Sequence, residues 1–218
     1  MILVPVKNIA NAKQRLASVL DAGERSALAA GMLEDVLETL SRWTRRPAVA
    51  IVTGDPWASS LARNFSFEII EDSVNGGETD AIAMATRACE ANGAESTWVL
   101  PADIPLMRIA ELEQVLDAAP SQGTVLVPAH DGRGTNTALR RPAALFPLRF
   151  GDDSFHPHVA AACATGHPCV ILRLPGIALD VDKPADLAEL LSNEGPTRAQ
   201  ALLQAWKVAE RLMLAHAR

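Results

Sequence analysis

Val99-Leu100-Pro101-Ala102-Asp103-Ile104-Pro105-Leu106 is the stretch from which the fold can be read. An apolar run that ends at a proline reads as a buried strand stopping at the edge of a sheet. Asp103 follows at once, and Pro105 holds the chain in a turn before a helical pattern resumes. In an open α/β sheet, ligands sit outside the carboxyl ends of the strands, so a carboxylate at this point faces the crevice. Asp ahead of a proline is also ordinary turn chemistry. On this stretch alone the two readings weigh equally.

Working outward, apolar runs at 1–5, 48–52 and 67–70 read as earlier strands, and helical patterns separate them. Asp21 and Glu24 have capping-box spacing and open a helix to about residue 42. Its Leu28, Met32, Leu33, Val36, Leu37 and Leu40 form one buried face. Helices are expected at 57–63, 80–92 and 109–118. Strand and helix in alternation argue for an α/β fold with a mostly parallel central sheet and helices on both faces. Residues 6–16 are polar and carry Lys7, Lys13 and Arg15 after the first strand, where such folds hold phosphates. A solvated surface loop is the plainer alternative. No GxxxxGK[ST] or GxGxxG is present. Thr53 lies at the carboxyl end of the second strand, and Asn75-Gly76-Gly77 permits close backbone approach to a ligand. For Asn-Gly by itself a plain turn is the stronger reading.

The second half is less regular. Strands are expected at 124–128, 137–140, 169–172 and 177–181, with a flexible polar loop at 131–136. Gly151 and Ser154 precede a helical stretch to about residue 165. Ser154 is placed at the N-cap, a position that can seat an anion. Asp180 and Asp182 fall on one face of an extended segment. Two carboxylates so placed repel unless a cation or proton lies between them, which makes a divalent metal the economical explanation. Asp182 is also expected to cap the helix at 184–191. Residues 192–218 are read as a C-terminal amphipathic helical segment of a single 1–218 domain, its helix spanning 197–215. A stripe of Leu202, Ala205, Ala209 and Leu212 serves either the core or a homodimer contact.

The 218 residues are 49% hydrophobic and 21% charged, an ordinary globular composition. A net charge of −6 without a basic stripe argues against nucleic-acid binding. Cys89, Cys163 and Cys169 have neither CxxC spacing nor an even count, so reduced cytosolic thiols are expected. No leader pattern or membrane-length apolar stretch is seen, so the expected location is cytoplasmic.

Pro5-Val6-Lys7, 12–16 (AKQRL), Pro101-Ala102-Asp103-Ile104-Pro105, Gly134-Thr135-Asn136, Phe150-Gly151 with Ser154 and His158, and Leu179-Asp180-Val181-Asp182 with Pro184, Asp186 and Leu187 occur in that order. The set resembles the 2-phospho-L-lactate guanylyltransferases of the CofC/FbiD type, over residues 1 to about 191. The resemblance implies a Rossmann-like nucleotidyltransferase fold of the GT-A/MobA kind. It implies transfer of GMP from GTP to a three-carbon phosphoacid, with release of pyrophosphate, on the route to coenzyme F-420. Acceptors in the family include 2-phospho-L-lactate, phosphoenolpyruvate and 3-phospho-D-glycerate.

An acceptor phosphate is already an anionic nucleophile, so catalysis reduces to positioning and charge neutralisation. On this reading Asp103, Asp180 and Asp182 hold Mg2+. Asp103, Lys13 and Arg15 carry catalysis. Lys7, Lys13, Thr53, Asn75, Gly76, Gly77 and Pro101 address GTP, while Thr135, Gly151 and Ser154 seat the acceptor. Where relatives commonly carry Gly-Leu-Asn, this chain has Gly77-Glu78-Thr79 ahead of Asp80. Glu78 or Thr79 would offer a partner to a substrate hydroxyl, which puts 3-phospho-D-glycerate first, phosphoenolpyruvate second and 2-phospho-L-lactate third. Two alternatives compete: a nucleotidyltransferase of the same fold acting on a sugar phosphate or pterin cofactor, and a non-catalytic nucleotide-binding regulatory protein.

Overall fold

The computed structural model describes residues 1–73, 76–151, 153–193 and 195–216. Strands β1 (Ile2–Val6), β2 (Val49–Thr53), β3 (Glu68–Glu71), β4 (Thr97–Val99), β5 (Gly123–Pro128), β6 (Thr135–Arg141) and β7 (Cys169–Ile171) form one sheet. Its order is β3-β2-β1-β4-β6-β5-β7. β1 pairs parallel with β2 and β4, β2 with β3, and β5 with β7; β6 runs antiparallel to both its neighbours. The chain leaves β1 toward β2 and β3, then returns to its other side as β4. The topological switch point, where such sheets bind ligands, therefore lies between the carboxyl ends of β1 and β4. Asp103 follows the second of these ends and the 7–15 loop follows the first.

The two faces of β1 explain the layers. Ile2, Val4 and Val6 point to one side and Leu3 to the other, as period 2 requires. The first side is covered by α1 (Ala22–Arg42), α2 (Pro56–Asn64) and α4 (Ile109–Ala118); the second by α3 (Glu78–Ala91) and α5 (Phe155–Ala164). All six apolar positions expected on α1 are buried, and the Asp21–Glu24 capping box is formed in both directions. A third cluster joins α1 to α7 (Pro184–Ser192), α8 (Arg198–Ala205) and α9 (Val208–His216). Among the described residues no helix is long and apolar enough to cross a membrane.

Four expectations are corrected. The strand at 177–181 is replaced by a four-residue helix, α6 (Pro175–Ala178), and irregular chain. Here Asn136 Nδ2 takes the carbonyls of Ile177 and Ala178, and Gly176 N–H donates to Glu111 Oε1 at 2.7 Å. A Cβ at 176 would meet Leu106 O at 2.4 Å, so only glycine fits. The loop at 131–136 is shorter than expected, because β6 already begins at Thr135, paired with Pro128. Asp182 does not cap α7; Lys183 holds the N-cap position, and Asp186 accepts from the N–H groups of Asp182 and Lys183.

The last helix is two helices, with Lys207 at φ 52° between them. That break rotates the stripe. Ala199, Leu203, Val208 and Leu212 are buried, whereas Ala205 and Ala209 are exposed. Leu202 packs over Gly31 of α1 instead, where an added Cβ would stand 3.0 Å from its Cδ1.

Candidate active site

Two chambers open at the switch point. The larger, of about 720 Å³, is walled by the 5–15 loop, Ala29 and Met32 of α1, and Gly77. The smaller, of about 480 Å³, is walled by Thr135 and Asn136 of β6, the Phe150–Gly151 turn, Ser154 and Asp180. They meet at a shared wall of Arg15, Glu78, Pro101, Asp103 and Asp182.

Local structure brings the carboxylates of that wall together. The Asp180-Val181-Asp182 segment lies beside the Asp103 turn because Val181 N–H donates to Asp103 O at 3.1 Å. Asn136 Nδ2 donates to Asp180 Oδ1 at 2.9 Å and fixes that side chain. Lys13 reaches in from the opposite loop. Its Nζ stands 2.5 Å from Asp103 Oδ2 and 2.7 Å from Asp182 Oδ1, with its side chain only 9% exposed. Lys13 has φ 55°, a left-handed backbone that non-glycine residues adopt at a cost of about 1–2 kcal/mol. Arg15 lies 3.9 Å from the other oxygen of Asp182. Asp55 anchors the same loop by accepting from Ile9 N–H at 3.1 Å.

The electrostatics follow from this crowding. Burial disfavours the charge on Lys13, but Asp103 and then Asp182 more than offset it and hold the ammonium well above the lysine range. Burial likewise opposes ionisation of Asp182, and Lys13, then Arg15, hold it below its ordinary value. Asp180 is pushed up by burial and by Asp103, with Asn136 opposing. Glu78 is pushed up to about 7, first by burial and then by Asp103 and Asp182.

That donor set is all oxygen and suits a hard divalent cation. Among the described residues, however, no three acidic, imidazole or thiol groups converge as a metal cage. Asp103 and Asp182 are instead centred on the Lys13 ammonium.

The expected site residues divide clearly. Lys7, Lys13 and Gly77 line the larger chamber; Thr135, Gly151, Ser154 and Asp180 line the smaller; Arg15, Pro101, Asp103 and Asp182 border both. Gly77 has φ 128°, which side chains rarely allow. Thr53 is not at either chamber. It is buried, and its Oγ1 accepts from Asp55 N–H at 2.9 Å to shape the turn into α2. Gly76 does not line them either, and Asn75 falls outside the described residues. Ser154 holds the N-cap position of α5 without a capping bond; its hydroxyl is 3.3 Å from Thr135 Oγ1.

Several residues gain roles that sequence reasoning missed. Glu78 is a third carboxyl group of the shared wall, beside Asp103 and Asp182. Asn136 positions Asp180, a role hinted at only by its place beside Thr135. Thr79 Oγ1 accepts from Phe150 N–H at 2.9 Å and braces the Gly151 turn. That pairing spans 71 residues, and no local pattern announces it.

Residues 1–211 match the family model described as "Guanylyl transferase CofC like". The chain is 36% identical over 200 residues to the phosphoenolpyruvate guanylyltransferase of Roseiflexus castenholzii, covering 92% of this chain and 91% of that protein. It is 32% identical over 202 residues to the 2-phospho-L-lactate guanylyltransferase of Methanothermobacter thermautotrophicus, covering 93% and 88%. Among solved structures, a Desulfovibrio desulfuricans G20 protein described as a nucleotide-diphospho-sugar transferase superposes with TM-score 0.78 at 19% identity, covering 98% of this chain and 96% of that one. A 4-diphosphocytidyl-2C-methyl-D-erythritol synthase superposes with TM-score 0.58 at 16% identity, covering 88% and 97%. Both structural likenesses bear on the fold, which is that of the nucleotidyltransferases.

Proposed function

The chain belongs to the CofC-like guanylyl transferase family, and from that premise we propose that it moves GMP from GTP onto a three-carbon phosphoacid, in the cytoplasm, on the route to coenzyme F-420. The observation that carries this reading is the pair of chambers with one charged wall in common. A triphosphate in the larger and a phosphoacid in the smaller would meet at Asp103, Glu78, Asp182 and Arg15.

The chemistry asked of the wall is the approach of two polyanions. An acceptor phosphate oxygen attacks the α-phosphorus, the bond from that phosphorus to the bridging oxygen breaks, and pyrophosphate leaves. No general base is needed. Lys7, Lys13 and Arg15 would hold the triphosphate and the departing pyrophosphate, Arg15 with two-pronged geometry available. Mg2+ would be held by Asp103 and Asp180, with Asp182 joining them only once released from Lys13, and would supply charge neutralisation at the reacting phosphates. Thr135, Gly151 and Ser154 would seat the acceptor's carboxylate through neutral donors.

For the acceptor we propose phosphoenolpyruvate first. The hydroxyl-partner argument for 3-phospho-D-glycerate needed Glu78 or Thr79 to face the substrate. Thr79 is engaged with Phe150 and lines neither chamber, which leaves Glu78 alone of the two at the acceptor side. Proteins named phosphoenolpyruvate guanylyltransferase are among those similar to this chain, which supports that choice. The test is incubation with GTP, Mg2+ and each of the three acids at equal concentration, with products identified by mass. A guanylylated phosphoenolpyruvate should predominate. GTP binding without pyrophosphate release would favour a regulatory protein instead.

A further inference from the structure

His158 sits on α5, one turn after Ser154, and is 1% exposed. Its ring is held at both nitrogens. Nε2 accepts from Arg149 N–H at 2.8 Å, and Nδ1 lies 2.9 Å from Thr135 Oγ1. A backbone N–H can only donate, so Nε2 must carry the lone pair. A neutral imidazole then has its hydrogen on Nδ1, which donates to Thr135 Oγ1. With one lone pair of Thr135 taken by His158 and the other facing the Ser154 hydroxyl, which donates to it, its own hydrogen is free to point into the smaller chamber. The Arg149 contact meanwhile fixes the chain just ahead of Phe150 and Gly151. Phe146 and Phe150 pack against the imidazole, with centroids at 6.4 and 5.5 Å.

We propose that His158 is a positioning residue for the acceptor acid: locked with its hydrogen on Nδ1, it turns Thr135 into a hydroxyl donor toward the acceptor's carboxylate. The inference rests on Thr135, Gly151 and Ser154 being the acceptor seat. Burial, and secondarily the Arg140 guanidinium, lower its pKa to about 4, so the neutral ring persists throughout the physiological range. A cationic ring would present a hydrogen at Nε2 to the Arg149 N–H and break the arrangement.

Two amide variants separate the two bonds. His158→Asn keeps a donor near the Nδ1 position and loses the acceptor for Arg149; His158→Gln keeps an acceptor near Nε2 and loses the donor to Thr135. With GTP, Mg2+ and phosphoenolpyruvate, His158→Gln should raise the acceptor KM roughly 10-fold, the scale of one hydrogen bond to a charged group. The KM for GTP should stay unchanged, and His158→Asn should recover most of the loss. In a Thr135→Val background His158→Gln should add nothing further to the acceptor KM, because its effect passes through Thr135. In the unaltered protein, the nitrogen-edited NMR signal of the His158 Nδ1–H should be present and should shift with phosphoenolpyruvate. If Thr135→Val leaves the acceptor KM unchanged, the seat itself is misassigned and the inference falls with it. If Thr135→Val raises that KM while His158→Gln does not, or the two effects simply add, the seat stands and the role of His158 is overturned.

Discussion

The two chambers hold their ligand-facing groups by opposite means. Around the larger one the main device is charge. Lys13 is drawn across the cleft to two aspartates, on a backbone conformation that costs energy to keep. Around the smaller one, whose lining also carries Asp131, Arg133, Asp180, Lys183 and Asp186, the turn and hydroxyls proposed to face the acceptor are held by neutral hydrogen bonds. His158, Thr79 and Asn136 each tie a loop or side chain to a distant part of the fold, and Thr135 and Ser154 are themselves buried. The difference matches the demands of the two ligands. A triphosphate that must shed pyrophosphate is suited by cations that can let go. A small acid that must be aimed at phosphorus is suited by donors already fixed in place, because orientation is where such a reaction gains most.

The sharpest break of this division is at the wall itself. Asp103→Asn removes a charge without changing shape, and it should lower kcat by ~10²-fold or more with the fold retained but a lower melting temperature, because the buried Lys13 ammonium loses one of its two partners. Because Asp103 borders both chambers, neither KM alone should account for the loss. Near-wild-type turnover would remove Asp103 from the metal assignment. Titration of Mn2+ by electron paramagnetic resonance gives an independent readout, and the variant should bind it more weakly.

The hydrogen-bonded brace of the smaller chamber has a charge limit that acid should expose. His158 has an ordinary value of 6.5 and a folded value of about 4, lowered by burial and by Arg140. Between those values the unfolded chain binds the proton and the folded one does not, so stability rises with pH across this window. On acidification from pH 6.5 to 4 this group should remove about 3 kcal/mol, complete below the folded value. Denaturant titrations at several pH values should show a shallower loss in His158→Gln. Equal slopes in the two proteins would mean that the ring protonates as freely in the fold as in water.

On the charged side, Lys13→Ala should raise the KM for GTP by roughly 10- to 100-fold, the range for hydrogen bonds to ionised groups. The acceptor KM should change less. A change confined to the acceptor would move Lys13 to the other side of the reaction.

The same contrast explains what the sequence made legible. The charged half is built from parallel strands and helices with short-range signals: apolar runs, a capping box, a basic loop, and a carboxylate after a strand. All of these were found in place, and the switch point followed from the strand order. The other half contains the antiparallel β6 and is held by side-chain bonds between residues tens of positions apart, which periodicity does not encode. Thus 177–181 read as a strand because it is apolar, whereas Asn136, 41 residues away, takes its carbonyls. The break at Lys207 was hidden in a continuous helical pattern, so Ala205 and Ala209 were placed on the buried stripe in error, whereas Leu212 is buried as expected. Thr53 looked exposed to ligand from its place at a strand end, yet its hydroxyl is engaged in the turn that follows.

The smallest expected effect is at Thr79, and it separates a loop brace from a substrate contact. Its Oγ1 accepts from Phe150 N–H, so Thr79→Val keeps the side-chain shape and leaves that amide without its partner. A neutral hydrogen bond contributes about 1 kcal/mol, or roughly 5-fold in an equilibrium. If Thr79 only braces the Gly151 turn, the acceptor KM should rise by about that factor for every acid tested. Thr79→Ser, which keeps the hydroxyl, should restore it, and the KM for GTP should not move. A hydroxyl that instead faced the substrate would discriminate between acids, because an unpaired partner is felt only by the ligand that offers a hydroxyl. A loss confined to 3-phospho-D-glycerate, with phosphoenolpyruvate unaffected, would return Thr79 to the acceptor and put that acid first again.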